Sequence, residues 1–457
     1  MGGNNQAEQI VLLFDYYGQG SRDLHTSFKQ AGYEFPAVVI EDDGFLPEDV
    51  ISVFGFFLGD FKNQEGISGK PRYFNQITVP EYWEISGSNI NGKVSDLSRE
   101  RGRIFYAEPA HKRLVNVVDW LDERGVVRVS DHYNRYGALY ARTTFNAKGQ
   151  KVNKSWFSAT GLEIIVQNYV TGDIILNEGK EIRFFRTKTD FIVYFLKRAG
   201  FETARLFFNS LSTPFFVSNA LGSGSEKRDV LFWQEPVWDE IPGNMQMILR
   251  GEAPRTARII VQMERSYTRL LELGASKEMV QKLGFIYPFR RKNRRRKEAL
   301  ICTNSDRIEH CQEIVKAIPQ MHFHIAALTE MSSKLMSMES FDNVSLYPGV
   351  KSGVLKELFA QCDYYLDINY EGEIVSAVRR AFLNNQLIFA FQETAHNRDY
   401  VDGGQIYPAG EADRLIRDLR ETIENVPTLA ERLQKQRAAA LVEFPEDYRK
   451  VMEGENG

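Results

Sequence analysis

Acidic and basic side chains that could contact sugar hydroxyls stand close together in residues 368–382, INYEGEIVSAVRRAF. A strand-like run precedes this stretch, and a helix-like pattern begins inside it. A carboxylate accepts two hydroxyl hydrogen bonds at once, so a pair of carboxylates can hold a sugar. Glu371 suits this task, whereas Arg379 and Arg380 in the helix-like part of the stretch can only donate. The residues alone leave open whether the stretch binds hydroxyl groups.

The first loop of the same half of the chain is equally poor in groups that bind a diphosphate. It reads TNSDRIEHC, and Asp306 and Glu309 flank Arg307. A diphosphate is usually held by a backbone cradle at a helix N-terminus, and neighbouring carboxylates repel it. The loop therefore predicts a domain that has kept the shape of a nucleotide-binding fold and lost its chemistry.

We accordingly expect a degenerate sugar-donor cleft at Glu371, Arg379 and Arg380, with no catalytic residue and no cofactor. Two interpretations of the arginines stay open. They are either ordinary helix-surface or ion-pair residues, or they face a remodelled cleft. The sequence contains neither a GxSxG elbow nor a Ser/His/Asp order that would indicate another catalytic centre.

Indole rings, acids and amides are mixed in residues 232–246, FWQEPVWDEIPGNMQ. Such mixtures are common where a strand opens into a cleft. One interpretation is an acceptor-binding cleft, with the candidate residues Trp233, Glu235, Trp238 and Asn244. The other is a rigid loop between domains whose indoles fill the core, and the sequence does not separate the two.

Seven of the eight residues in the run RRKNRRRK, residues 290–297, are basic. The run lies at a predicted domain boundary, which favours a solvated linker between domains. The alternative is a contact for an anionic partner, such as acidic lipid headgroups or an acidic protein surface.

Histidines and cysteines show no metal-binding spacing. His322 and His324 alternate on one predicted strand, which is more often structural, and the three cysteines form no CxxC motif. We therefore expect no metal site and no disulfide framework, and a reducing compartment.

Composition narrows the class of protein further. The chain has 457 residues, of which 43% are apolar and 26% charged, and its net charge is −4. This balance gives no reason to expect nucleic-acid binding. No apolar run approaches the ~20 residues of a membrane span, and the first residues lack the pattern of a secretory signal. We expect a cytoplasmic protein, with the basic run as its possible peripheral contact at the inner face of the cell membrane.

Strand and helix patterns predict an α/β fold with two Rossmann-type domains. Alternating apolar strands and helices indicate parallel sheets in both halves of the chain. A β-rich stretch interrupts the first half, and helical spacing dominates the last residues. The predicted division is a first, acceptor-side domain at 1–70 and 186–288, an inserted extended sheet at 71–185, a second, donor-like domain at 289–425, and closing helices at 426–457.

The inserted stretch is punctuated by glycines at intervals of 12, 12, 12 and 11 residues, at positions 125, 137, 149, 161 and 172. Turn residues at this spacing are typical of an antiparallel meander. The strands between them are rich in aromatic residues. If the sheet projects from the body, these rings form a surface for a protein partner, and the candidates are Tyr133, Tyr140, Trp156 and Tyr169.

Two Rossmann-type domains with a strand–Glu–Gly–helix stretch near the end of the second resemble the GT-B glycosyltransferase architecture. For a retaining enzyme, this resemblance implies a second acidic residue eight positions after the first, but the count from Glu371 reaches Arg379 and the count from Glu373 reaches Ala381. A closer resemblance runs along nearly the whole chain, in segments such as GFLPEDVISVFGFFLGD, YFNQITVPEYWEISG, LFWQEPVWDEIPGNMQMIL and ALICTNSDRIE. These segments are similar to those of the glycosyltransferase-stabilising subunits of the accessory Sec system in Gram-positive bacteria.

That resemblance implies a GT-B-like, non-catalytic subunit of a protein O-GlcNAc transferase complex. Its expected partners are a catalytic homologue, in a heterodimer or heterotetramer, and an unfolded serine-rich-repeat adhesin that is glycosylated on Ser and Thr before export. The resemblance also implies that the extended sheets of the two subunits form much of their interface. The alternative function is that of an active retaining GT-B enzyme with a nucleotide-sugar donor.

Overall fold

The first parallel unit begins with a strand–helix–strand crossover. In the computed structural model, which describes residues 9–62, 67–222 and 228–453, Val11 to Phe14 are fully buried, as expected for a central parallel strand covered on both faces. The elements are β1 (Ile10–Tyr16), α1 (Gln19–Gln30), β2 (Ala37–Glu41) and β3 (Val50–Ser52).

An antiparallel sheet of ten strands follows, and each strand pairs with the next in sequence. The five glycines that predict the meander all have positive φ, between 75° and 85°, which is the turn conformation that glycine adopts without strain. The predicted meander is therefore confirmed. The strands are β4 (Glu84–Gly87), β5 (Asn91–Asp96), β6 (Arg99–Tyr106), β7 (Val115–Leu121), β8 (Val127–Tyr133), β9 (Leu139–Phe145), β10 (Lys151–Phe157), β11 (Glu163–Asn168), β12 (Ile174–Asn177) and β13 (Ile182–Phe185).

The chain then returns to the first parallel unit. Its elements are α2 (Lys188–Arg198), β14 (Arg205–Phe208), α3 (Thr213–Ala220), β15 (Asp229–Trp233), α4 (Gly243–Leu249), β16 (Thr256–Val261), α5 (Glu264–Glu272) and β17 (Val280–Lys282). The completed sheet has the order β17-β16-β15-β14-β1-β2-β3, so the antiparallel sheet is an insertion after β3.

A second parallel unit is formed by β18 (Glu298–Thr303), α6 (Cys311–Ala317), β19 (His322–Ala327), α7 (Ser333–Met336), β20 (Val344–Tyr347), α8 (Ser352–Gln361), β21 (Tyr364–Asp367), α9 (Ala377–Leu383), β22 (Leu387–Phe391), β23 (Ile406–Tyr407) and α10 (Ala412–Glu424). Its strand order is β20-β19-β18-β21-β22-β23. The sixth strand, β23, has only two residues, which is too short to give a recognisable pattern in the sequence. The predicted α/β fold with two parallel sheets is confirmed.

Two last helices join the units. Helix α11 (Val426–Ala439) packs on β22, whereas α12 (Pro445–Glu453) crosses back to α1 of the first unit. There the ring of Tyr448 meets that of Phe28 edge-on at 5.2 Å, and the Tyr448 hydroxyl donates to the Gly284 carbonyl at 2.8 Å. One hydrophobic cluster contains residues of both parallel units. No helix among residues 9–62, 67–222 and 228–453 is long and apolar enough to cross a bilayer.

Candidate functional site: a cleft between the parallel units

Arg379 ties the two parallel units together. It lies on α9, and its Nη2 donates to Oδ1 of Asp23 on α1 at 2.6 Å. Both side chains are largely buried, and burial raises the pKa of Asp23 while the Arg379 charge opposes that rise. The ion-pair interpretation of Arg379 is therefore the one that the structure supports. The position that would complete a carboxylate pair with Glu371 holds a clamp between domains.

Glu371 lies in a loop whose polar groups are already engaged. Its carboxylate pairs with Arg307 at 3.2 Å, and its carbonyl accepts hydrogen bonds from Asn369 at 2.8 Å and from His396 at 2.6 Å. Arg307 also lies over the ring of Tyr370. Arg307, the cation of the loop after β18, therefore pairs with Glu371 in the loop after β21, and both side chains of this pair are largely exposed.

Arg380 and Glu373 have local roles at the start of α9. The Glu373 carboxylate accepts from the backbone N–H of Val378 at 2.8 Å, and burial raises its pKa. Arg380 is half-buried, and burial, helped by the charge of Arg290, lowers its pKa. The structure therefore places the three residues in the loop after β21 and on α9, where Glu371 pairs with Arg307 and Arg379 pairs with Asp23. That they form a degenerate donor cleft stays a prediction.

Replacing Arg379 with glutamate should destabilise the protein and should not restore donor binding. The new carboxylate would face the buried Asp23, so we expect a loss of about 2–3 kcal/mol in the free energy of unfolding, measured by urea denaturation. The charge-swapped double variant Asp23→Arg/Arg379→Glu is the matched control and should recover at least half of the loss. Micromolar binding of a nucleotide sugar by Arg379→Glu would contradict this account.

His396 is a functional group that sequence reasoning missed, because its partner lies 29 residues earlier in the chain. Its Nδ1 lies 2.6 Å from Oδ1 of Asp367, and its Nε2 contacts the Glu371 carbonyl. Both ring nitrogens thus face acceptors, which only the imidazolium can satisfy. The Asp367 hydrogen bond accordingly raises the pKa of His396 to about 9. In the sequence, Asp367 at the end of a strand and the isolated His396 give only a weak signal. They come into contact because the loop after β22 lies beside the end of β21 in the parallel sheet.

The raised pKa of His396 predicts that stability declines in alkaline solution. A group whose folded pKa lies above its unfolded value of 6.5 stabilises the fold fully below pH 6.5 and loses that contribution as the pH rises through about 9. We expect the urea-unfolding free energy to fall by about 1–2 kcal/mol between pH 7 and 10, after allowance for solvent screening. His396→Gln should be less stable at pH 7 and should lack this decline. An identical pH profile in the variant would refute the assignment.

A cleft of about 500 Å³ lies beside the Asp23–Arg379 clamp and is lined by both units. Its walls carry the amides Gln19, Gln234, Gln262 and Asn397 and the rings Tyr287 and Tyr400. An ion pair between Arg265 of α5 and Asp399 crosses between the units at the same cleft. Amides both donate and accept, so they can bind the backbone and hydroxyl groups of a peptide. Gln19, Gln234 and Gln262 already donate within the protein, so a peptide would have to exchange with these partners.

The stretch predicted to form the acceptor cleft does not converge on one surface. Trp233 is buried at the end of β15, because that strand is central in its sheet, whereas Glu235 and Trp238 are exposed. Asn244 donates to the Leu211 carbonyl at 2.9 Å and so holds a loop. Only a neighbour, Gln234, lines the cleft between the units, where it bonds to Gln262 at 2.7 Å.

Three of the four aromatic residues predicted to form a partner surface are buried, so that prediction is wrong for them. Tyr133, Tyr140 and Trp156 are only 6%, 4% and 2% exposed. The sheet does not stand free at these positions. Trp156 stacks on Phe54 of the first parallel unit at 4.2 Å, and the Tyr140 hydroxyl donates to a backbone carbonyl of that unit. The fourth residue, Tyr169, is 38% exposed, and its role stays a prediction.

The opposite face of the inserted sheet is exposed at its last strands. Ile175 of β12 lies directly opposite Phe184 of β13. Ile182 precedes Phe184 by two residues, so it lies on the same face of the sheet. Ile182 and Phe184 are 74% and 62% exposed. Strand β13 is also the edge of the sheet. We call Ile175, Ile182 and Phe184 the edge strip.

The basic run is organised by one buried carboxylate. Asp363 is fully buried, forms ion pairs with Arg291 and Arg296, and accepts from the backbone N–H groups of Arg294 and Arg296 at 3.0 and 2.7 Å. The run is therefore a linker, as the favoured interpretation predicts, but part of it is buried and fastened to the second unit instead of being solvated. Its remaining cations, such as Lys292 and Arg295, are exposed.

Comparison with known proteins identifies the family of this chain. Models of the GtfB N-terminal, middle and third domains match residues 11–57, 83–186 and 188–273, and a model described as the GftB/GlyA-F C-terminal domain matches residues 299–436. GtfB of Streptococcus gordonii is a stabilizing protein of a UDP-N-acetylglucosamine–peptide N-acetylglucosaminyltransferase. It is 44% identical to this chain, over 93% of this chain and 94% of its own length. The chain belongs to the GtfB family of glycosyltransferase-stabilising proteins. The GtfB protein of Streptococcus agalactiae is 41% identical to this chain, over 97% of this chain and 99% of its own length.

Solved structures agree with the family and with the GT-B-like fold. A crystal structure of a GtfA/B complex bound to UDP and GlcNAc contains a chain that is 42% identical to this GtfB family member, with a TM-score of 0.91, and the match covers 97% and 99% of the two chains. TarM matches with a TM-score of 0.52 at 12% identity, over 98% and 99% of the chains, which shows the fold alone.

Proposed function

We propose that this GtfB family member is a non-catalytic subunit that stabilises and activates a catalytic O-GlcNAc transferase homologue. The observation that supports this proposal most directly is the Asp23–Arg379 ion pair. Arg379 occupies the position at which a retaining GT-B enzyme is expected to have a second sugar-binding carboxylate. The names of its relatives support the same role, because they describe stabilizing proteins of a peptide N-acetylglucosaminyltransferase. A subunit that binds the folded transferase and not its unfolded chain stabilises it by mass action.

The acceptor in this proposal is an unfolded serine-rich-repeat adhesin, modified on Ser and Thr in the cytoplasm before accessory Sec export. The amide-lined cleft between the units supports this proposal, because its groups match peptide backbone and hydroxyls. A repetitive acceptor held on this subunit also raises the local concentration of sites for its partner. The exposed cations of the basic run support a secondary, peripheral contact with acidic lipid.

The edge strip is the surface that we propose for the transferase. It combines exposed apolar side chains with a sheet edge whose backbone groups can pair with another chain. Exposed apolar patches beside unpaired edges are otherwise costly to keep in a soluble monomer.

The test is an activity assay with the transferase homologue expressed with and without this chain. We expect GlcNAc transfer from UDP-GlcNAc to a Ser/Thr-rich unfolded peptide to rise at least tenfold in the presence of the chain. In parallel, calorimetry of the chain alone with UDP-GlcNAc should show no micromolar binding. Turnover by the chain alone would favour the alternative, an active retaining enzyme. Equal activity without the chain would refute the proposal.

A further inference from the structure

Three side chains with metal-binding atoms meet at the amino-terminal edge of the second parallel sheet. Glu298 is the first residue of β18, His324 lies in β19, and Cys362 lies between α8 and β21. A carboxylate oxygen, an imidazole nitrogen and the thiol sulfur all lie within 4.8 Å of one another. The sequence gives no hint of this cluster, because its members are separated by 26 and 38 positions.

We propose that Glu298, His324 and Cys362 bind one zinc ion, with water as the fourth ligand. Thiolate, imidazole and carboxylate are the three ligand types that zinc uses in proteins. A thiolate and an imidazole exclude calcium and magnesium, which take oxygen ligands. Zinc therefore fits this donor set better than the hard cations do.

Neighbouring groups orient the ligands as a zinc site requires. The Nδ1 atom of His324 lies 2.9 Å from the Tyr347 hydroxyl, which leaves Nε2 directed at Oε2 of Glu298, 2.6 Å away. In metal sites the second imidazole nitrogen is usually fixed by such a hydrogen bond. Gln361 also donates to Oε2 of Glu298, at 2.7 Å. The ion would take the place of the proton between His324 and Glu298.

The size and access of the cluster also suit a zinc ion. In a tetrahedral site, ligand atoms that lie about 2.0–2.3 Å from zinc are about 3.3–3.7 Å from one another. The three ligand atoms here lie within 4.8 Å of one another, so side-chain shifts of up to about 1 Å would bring them to that spacing. His324 and Cys362 are buried, whereas Glu298 is half-buried and leaves one side open to solvent.

A bound ion would hold together elements of the second unit that are distant in sequence. Glu298 and Cys362 flank the backbone contact in which the Asp363 N–H donates to the Glu298 carbonyl at 3.0 Å. An ion at this place would cross-link β18, β19 and the α8–β21 turn beside the carboxylate that fastens the basic run.

The experiment is metal titration of the full chain after chelator treatment, with zinc and cobalt as the probes. We expect one zinc per chain by equilibrium dialysis and mass spectrometry, a rise in melting temperature that saturates at one equivalent, and thiolate-to-cobalt charge-transfer absorption. Cys362→Ser and Glu298→Gln should each weaken binding at least 30-fold. Neither substitution removes much volume, and circular dichroism with urea unfolding checks that the variants fold.

Two matched controls separate this site from adventitious binding. Cys311→Ser alters a buried cysteine outside the cluster, and His322→Gln alters the nearest other histidine, which contacts Ser345. Both variants should bind zinc as the original chain does. Absence of stoichiometric binding, or binding that survives Cys362→Ser and Glu298→Gln but is lost in His322→Gln, would overturn the proposal.

Discussion

Replacing Ile182 and Phe184 with aspartate is expected to weaken binding of the transferase homologue at least 100-fold. Both side chains are exposed in the free chain, on the edge strand β13. In the proposed complex each would be withdrawn from water, where a large apolar side chain contributes about 1.5–3 kcal/mol. Aspartate forfeits that contribution and adds the cost of desolvating a charge. Titration calorimetry and co-purification measure the loss.

The control for this experiment is Ile90→Asp. Ile90 is exposed and lies in the turn between β4 and β5, at the opposite border of the inserted sheet. The substitution should leave affinity unchanged, and all variants should keep the melting temperature of the original chain, because the altered side chains are exposed. Deletion of residues 122–172 would be a poorer test, since it also removes Trp156 from the core. Unaltered affinity in the Ile182→Asp/Phe184→Asp variant would refute the assignment of the edge strip.

Replacing Asp363 with alanine is expected to cost about 3–5 kcal/mol of unfolding free energy. The substitution leaves the Arg291 guanidinium nearly buried without its carboxylate and frees the backbone N–H groups of Arg294 and Arg296. Breaking one partner of a buried pair is costly because the other charge stays behind. Urea denaturation gives the free energy, and limited trypsin digestion should show new cleavage in the basic run.

Arg295→Ala is the matched control, because Arg295 lies in the same run and its side chain is exposed. It should change stability by less than about 0.5 kcal/mol. Asp363→Asn keeps the shape of the side chain and should fall between the two. If Asp363→Ala unfolds at the same urea concentration as the original chain, the carboxylate does not organise the linker.

The fold follows closely from local patterns in the sequence. Glycines at positions 125 to 172 mark turns because left-handed backbone at those places excludes most other residues. The four apolar residues from Val11 to Phe14 indicate a strand covered on both faces. Such signals need only neighbours in the chain, and they indicate the main strands of the parallel and antiparallel sheets but not the two-residue strand β23.

The contacts of the site depend on residues that are distant in sequence, so patterns predict them poorly. The basic run is interpreted correctly as a linker, but Asp363, which holds it, lies about 70 residues later. The partner of Arg379 is separated from it by 356 positions. The aromatic side chains of the inserted sheet show the same limit. Their number predicts a functional surface, but which face meets the first parallel unit is decided by packing on Phe54 and its neighbours.

The return of α12 to α1 has a consequence for synthesis on the ribosome. Residues 445–453 are made more than 400 positions after α1, yet Tyr448 covers Phe28 and bonds to the Gly284 carbonyl. Until those residues emerge, the first unit has strands and helices but an uncovered aromatic surface on α1. Chains interrupted before residue 445 would therefore expose that surface permanently, which marks them for chaperone capture and proteolysis.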